Sequence, residues 1–114
     1  MNNNTYDLIV LGSGAAGLAA AVSANSLGLN VLLVEKADRF GGTSAISGGA
    51  VWLHDTDQAR AAGLQLPAEQ MRLYLQQVIG ANYQPELVDA FIKHGREALR
   101  FLQQNSELRY SLRP

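Results

Sequence analysis

The 114 residues include no cysteine, which excludes disulfides, thiolate catalysis and cysteine-based metal sites and suits a reducing compartment. A formal net charge of -1 with no basic cluster excludes the electrostatic footprint of a nucleic-acid or anionic-membrane binder. An apolar fraction of 47% is ordinary, so one soluble globular unit at most is expected and not a disordered chain.

Met1, Asn2, Asn3, Asn4 and Thr5 carry neither a basic start nor an apolar core, so no secretory signal is expected. Apolar stretches are broken by Gly, Ser and Asn well before the roughly 20 residues of a transmembrane segment. A cytoplasmic location is therefore expected. The first element is a strand over residues 6–11, where Leu8, Ile9, Val10 and Leu11 run without alternation, as in a strand buried on both faces of a parallel sheet. Residues 14–27 are mostly alanine with Leu18, Val22 and Leu27, a strong helix former able to lie close to a sheet, and Gly28 caps it. Val31, Leu32, Leu33 and Val34 predict a second strand over 30–34, completing a strand–helix–strand unit that is parallel and right-handed.

The stretch GGTSAISGGA, residues 41–50, is too rich in glycine and small hydroxyl side chains to be regular throughout and suits a loop hugging a ligand. A helix is predicted over 67–79, with Pro67 at its start, Gly80 past its end, and Met71, Leu75, Val78 and Ile79 at helical spacing. Pro85 begins another, with Leu87, Val88, Phe91, Ile92, Ala98, Leu99 and Leu102 along one face and Gly95 as a kink or break. The chain is read as one α/β domain: a Rossmann-like βαβ start of a doubly wound parallel sheet over 1–50, then a mainly helical continuation over 51–114. Only two strands are visible where such a sheet needs several, so an incomplete domain, inactive by itself, is expected.

Gly12, Gly14 and Gly17 form G-x-G-x-x-G, a pattern of little weight alone. Here it follows a predicted strand and opens a predicted helix, the placement in which the glycines allow a tight turn, close approach to a pyrophosphate and close helix packing. Backbone N–H groups around Ser13 to Ala16 would then face phosphate oxygens, with the positive end of the helix behind them. Glu35, at the end of the second strand and about 20 residues beyond the glycines, stands where an acidic residue accepts ribose hydroxyls. A carboxylate there repels a 2′-phosphate, which favours FAD or NAD over NADP. An NAD domain proceeds quickly to another helix and strand. In this chain Lys36 leads through Phe40 to Gly41, Gly42, Thr43 and Ser44, a second ligand-contacting segment that suits the longer FAD. Thr43, Ser44 and Ser47 add hydroxyl donors, or are ordinary turn residues.

The stretches DLIVLGSGAAGLAAA, VLLVEK and GGTSAISGGAVW resemble the N-terminal part of the fumarate reductase/succinate dehydrogenase flavoprotein superfamily, and GGTSAISGG with Val51 and Trp52 is most similar to its 3-ketosteroid dehydrogenase branch. The helical pattern from Pro67 to Leu102 agrees, so the resemblance spans essentially the whole chain. It implies that Gly12, Ser13, Gly14, Ala15, Ala16 and Gly17 hold the FAD pyrophosphate and Glu35 the adenosine ribose, with Lys36 beside it. Gly41, Gly42, Thr43 and Ser44 would continue the dinucleotide contacts, and Ser47, Gly48, Gly49 and Ala50 would run past the flavin ring. Relatives that attach FAD covalently have a His in this segment; none lies between Gly41 and Ala50, so non-covalent FAD is expected. Ala50 stands where the ketosteroid branch often has a third glycine, and His54 and Asp55 where Pro and Asn are frequent, departures that bear on substrate and not on cofactor.

The resemblance further implies an FAD-dependent oxidoreductase that dehydrogenates or reduces a carbon–carbon bond next to a carbonyl, with a small-molecule substrate, ketosteroid-like, and a separate electron acceptor. Its proton-transferring Tyr or Arg would lie beyond Pro114, so no catalytic residue is assigned within the chain. A fumarate reductase-like C4-dicarboxylate enzyme, a non-catalytic flavin-binding stub and an NAD-binding Rossmann enzyme are the rival readings. His54 and His94 lack partners at metal-ligand spacing, so no metal site is assigned. Ser44 or Ser47 with His54 and Asp55 lacks the G-x-S-x-G elbow of a hydrolase triad. Trp52 reads as packing ahead of a substrate wall.

Overall fold

A computed structural model describes residues 5–113 of the chain. Met1, Asn2, Asn3 and Asn4, on which the expectation about a secretory signal largely rests, and Pro114 lie outside these residues. The chain divides into two compact units, one of residues 5–51 with Gln104–Glu107, the other of Trp52–Gln103 with residues 108–113.

The first unit is the βαβ element that the sequence predicts: β1 (Leu8–Leu11), α1 (Ala15–Ser26) and β2 (Val31–Val34), followed by a short α2 (Gly42–Ile46). β1 and β2 pair in parallel with Leu8 opposite Val31 and Leu11 opposite Val34. Strand starts are tied by Asp7, whose N–H donates to the Asn30 carbonyl at 2.8 Å while its carboxylate accepts the Asn30 N–H at 2.8 Å. At the other end the Gly12 N–H donates to the Val34 carbonyl at 2.7 Å, which carries the pairing up to the glycine motif. Alanines let α1 lie against both strands. Gly17 is part of that fit, since a β-carbon there would fall 1.9 Å from the Gly12 carbonyl oxygen. Gly28, with φ +83°, turns the chain out of α1 as its left-handed conformation requires.

One expectation is corrected in this unit. The unbroken apolar run of β1 implied burial on both faces, yet Ile9 is 56% and Leu11 81% exposed. The described residues supply a sheet of two strands with α1 against it, too few elements to cover so much apolar surface. The segment 41–50 is irregular apart from a helical turn over residues 42–46, with Gly41 at φ +108° as its N-cap.

The second unit is helical: α3 (Asp57–Ala61), α4 (Ala68–Ile79), a 3-10 turn (Gly80–Asn82) and α5 (Pro85–Gln104). Met71 on α4 and Val88 and Ile92 on α5 form its buried centre, with Ala68, Leu75, Ile79 and Tyr83 packed around them. α4 is bounded by Pro67 as N-cap and Gly80 as C-cap, the limits predicted. α5 corrects the expectation for Gly95, because the helix runs through it unbroken. The missing side chain instead makes room for Leu53, whose Cδ2 would be 2.9 Å from a β-carbon at that position. α3 is not anticipated from periodicity. It forms because Thr56 caps it, Oγ1 accepting the Ala59 N–H at 3.2 Å, and because Asp57 is held by Arg96 and Arg100 of α5 at 2.7 to 2.9 Å. These guanidinium groups, Arg100 foremost, hold the Asp57 carboxyl down at about 2.

Candidate functional site

The site is built where the parallel strands end. Gly12, at φ +95°, turns the chain off β1, a conformation that a side chain would strain. Gly14 is the N-cap of α1, with φ -66° and ψ 177°, and it offers no side chain to the helix end. The first-turn amides of an α-helix have no acceptor inside the helix, and α1 has no acidic residue there to compensate them. The positive end of a twelve-residue helix dipole is added to those N–H groups. A β-carbon on Gly12 or Gly14 would meet nothing within 4 Å, so the backbone here lies bare to an approaching group. Such an open cradle of N–H donors fits a pyrophosphate.

Glu35 follows β2 directly, and strand pairing brings it beside the residue after Gly12. The Ser13 N–H donates to Glu35 Oε2 at 2.9 Å and the Ser13 hydroxyl to the same oxygen at 2.6 Å, while Oε1 accepts the Ala37 N–H at 3.0 Å. These bonds, the Ser13 hydroxyl first among them, hold the Glu35 carboxyl at about 2, below its ordinary 4.5. The group at the expected ribose position is thus a fixed anion. Ser13 itself is fully buried, so both donors that the resemblance directs to pyrophosphate go to Glu35.

The second glycine segment lies against the first. Gly41 donates its N–H to the Ser13 hydroxyl oxygen at 2.7 Å. Gly42, at φ +54°, sits so close to Gly14 that a β-carbon would stand 3.4 Å from the Gly14 Cα. Ser44 Oγ accepts the Ala15 N–H at 3.2 Å, occupying one of the helix-end donors with a neutral oxygen. Gly12 to Gly17, Glu35, Gly41, Gly42 and Ser44 are therefore one cluster. Ser47 caps α2, donating to the Ser44 carbonyl at 2.8 Å and accepting the Gly49 N–H at 3.1 Å. Thr43, Gly48 and Ala50 are exposed residues that these contacts do not draw into the cluster, and Lys36, also exposed, meets it through its backbone N–H, which adds to the bonds on the Glu35 carboxylate.

In the second unit, His54 is nearly buried with Nε2 2.6 Å from the Leu66 carbonyl oxygen, a packing position. Trp52 stacks on Phe91, with ring centroids 6.2 Å apart and 12° between planes, and touches Tyr74 at 5.8 Å. No group of three or more His, Asp or Glu able to hold a metal occurs among the described residues. No described helix is long and apolar enough to cross a membrane. The Ser13 to Glu35 link is the feature that sequence reasoning missed, and its only signal was a hydroxyl between the first two glycines.

The sequence profile of the FAD binding domain family matches residues 7–114. A 3-oxosteroid 1-dehydrogenase of Mycobacterium tuberculosis is 38% identical over 109 residues, 96% of this chain and 19% of that protein. A 4-oxocyclohexanecarboxylate 2-dehydrogenase of Sinomonas cyclohexanicum is 43% identical over 100 residues, 88% of this chain and 17% of that protein. Among solved structures, the 3-ketosteroid delta1-dehydrogenase of Sterolibacterium denitrificans, crystallised with 1,4-androstadiene-3,17-dione, superposes with a TM-score of 0.77 at 37% identity, covering 90% of this chain and 18% of that one. The chain spans about a fifth of the length of the curated relatives it matches.

Proposed function

The chain belongs to the FAD binding domain family, and from that premise we propose that it holds the cofactor of an oxidoreductase that dehydrogenates a carbon–carbon bond next to a ring ketone. The observation that carries this reading is the meeting of two glycine segments and an anionic Glu35 at the carboxyl ends of two parallel strands. Bare backbone at Gly12 and Gly14, with the first-turn amides of α1, would take the pyrophosphate. Glu35 would accept the adenosine ribose. Gly41, Gly42 and Ser44 would continue along the dinucleotide, and Ser47 to Ala50 would border the flavin. With no His between Gly41 and Ala50 to form a bond to the ring, the cofactor is held non-covalently.

FAD, when bound, supplies the hydride acceptor, and the protein's part is to bind and orient it. The substrate class rests on the relatives named 3-oxosteroid 1-dehydrogenase and 4-oxocyclohexanecarboxylate 2-dehydrogenase, both acting on a cyclic oxo compound by name. A cyclic ketone, with a 3-oxosteroid first, is the substrate proposed, together with a separate electron acceptor and a cytoplasmic setting. The test is to purify the whole protein, precipitate it with acid, and assay turnover with an artificial electron acceptor on a 3-oxosteroid, on 4-oxocyclohexanecarboxylate and, in the reductive direction, on fumarate. FAD released into the supernatant with oxidation of a cyclic ketone is the expected result. Flavin remaining on the precipitate overturns non-covalent binding; NAD binding without flavin overturns the cofactor assignment; turnover of fumarate alone overturns the substrate class.

A further inference from the structure

A buried hydroxyl needs partners, and those of Ser13 are unusual in what they join. It is fully buried, it accepts the Gly41 N–H at 2.7 Å, and it donates to Glu35 Oε2 at 2.6 Å, with its own N–H converging on the same oxygen at 2.9 Å. Each carboxylate oxygen offers about two lone-pair sites. Oε2 accepts both Ser13 donors, whereas Oε1 accepts the Ala37 N–H, and the Lys36 N–H adds only the weakest of the contacts to the carboxylate, which leaves Oε1 the less occupied oxygen. We propose that Ser13 is a positioning residue for the ribose acceptor: its hydroxyl fixes Glu35 in one orientation, presents Oε1 to the ribose, and couples that orientation to the second glycine segment through Gly41.

This inference rests on the reading of Glu35 as ribose acceptor. Without the Ser13 hydroxyl, a Glu side chain with three rotatable bonds would have to be ordered as FAD binds, at an entropic cost now met during folding. The carboxyl would also move back toward its ordinary 4.5, because the Ser13 hydroxyl is the largest cause of its lowered value. The first effect weakens binding at the adenosine end at any pH, and the second adds to it only as pH falls toward 4.5, where the freed carboxyl begins to take up a proton. Loss of one hydrogen bond to a charged acceptor sets the scale at about tenfold.

The test titrates the whole protein, stripped of flavin, with FAD, comparing wild type, Ser13→Ala, Glu35→Ala and the double variant, each checked for folding by circular dichroism. Ser13→Ala is expected to weaken FAD about tenfold by itself and to add little in the Glu35→Ala background, since coupled residues are non-additive. The loss from Ser13→Ala should also grow as pH falls toward 4.5, a dependence that a merely structural hydroxyl would not produce. Equal loss in both backgrounds overturns the inference. So does unchanged affinity in Ser13→Ala when Glu35→Ala has lost it, an outcome that leaves the ribose reading standing. Glu35→Ala binding FAD like wild type overturns both. Should Ser13→Ala fail to fold, Ser13→Cys, which keeps the volume with a weak donor, is read in the same way, and failure of both to fold assigns the hydroxyl to the fold and overturns the proposal.

Discussion

A β-carbon built on Gly17 falls 1.9 Å from the Gly12 carbonyl oxygen, whereas one built on Gly14 meets nothing. The two glycines sit a turn apart and answer to different demands. Gly17→Ala drives a methyl group into backbone that is pinned by its own strand pairing, so it should destabilise the protein by more than the about 1–3 kcal/mol of ordinary overpacking. Gly14→Val should fold at the modest cost of a poorer N-cap and purify without flavin, because its side chain fills the space proposed for the pyrophosphate. Thermal melts and the visible spectrum separate the two outcomes; a folded, yellow Gly14→Val protein would rule out the glycine turn as the phosphate site. Glu35 gives a prediction in pH. Its folded carboxyl lies at about 2 against an ordinary 4.5, so its contribution to stability is whole above 4.5 and is lost as pH falls toward 2. The stability gap between wild type and Glu35→Gln, measured in urea, should therefore be constant near neutrality and close as the solution is acidified through that window. A gap that is the same at both ends would mean that the Ser13 bonds do not favour the ionised form.

At the scale of elements, what could be read from the sequence was whatever is local. The glycine spacing, the alanine-rich α1, and the Pro67 and Gly80 limits of α4 each declare themselves within a few residues. Contacts between distant residues do not. Ser13 occupies a variable place in the glycine pattern, and its partner is 22 residues away, reached only once β1 and β2 have paired. Gly95 reads as a break because glycine is a poor helix former, yet packing of Leu53 into the notch outweighs a propensity cost of about 1 kcal/mol. α3 lacked an apolar stripe long enough to be noticed, although Thr56 followed by Asp57 is a helix-start pattern that could have found it. That cap gives a direct prediction: Thr56→Ala should cost about 1 kcal/mol of stability in urea unfolding, within the usual range for a lost N-cap. Asp57→Asn, which removes the shared partner of Arg96 and Arg100, should cost less in high salt than in low. An unchanged unfolding midpoint in Thr56→Ala would mean that α3 is held by those arginines alone.

For the whole molecule the exposed strands matter most. Ile9 and Leu11 of β1 and Val34 of β2 are open, and no third strand pairs with either among the described residues. Apolar strands with free edges recruit other strands. The 114 residues produced alone should therefore self-associate, and Leu11→Lys should reduce that association without disturbing the βαβ unit. Size-exclusion chromatography of both checks this, and a monomeric wild-type chain would refute it. The strand register has a consequence of its own. Leu11 stands opposite Val34, so Gly12 and Glu35 leave the sheet side by side, and the acid meets Ser13 at 2.6 Å. A slip of one residue would shift Glu35 by about 3.3 Å and turn its side chain to the opposite face. The hydrogen-bond ladder thus works as a vernier: mispaired by a single notch, the chain would keep every glycine of its motif and carry the acid proposed as ribose acceptor away from them.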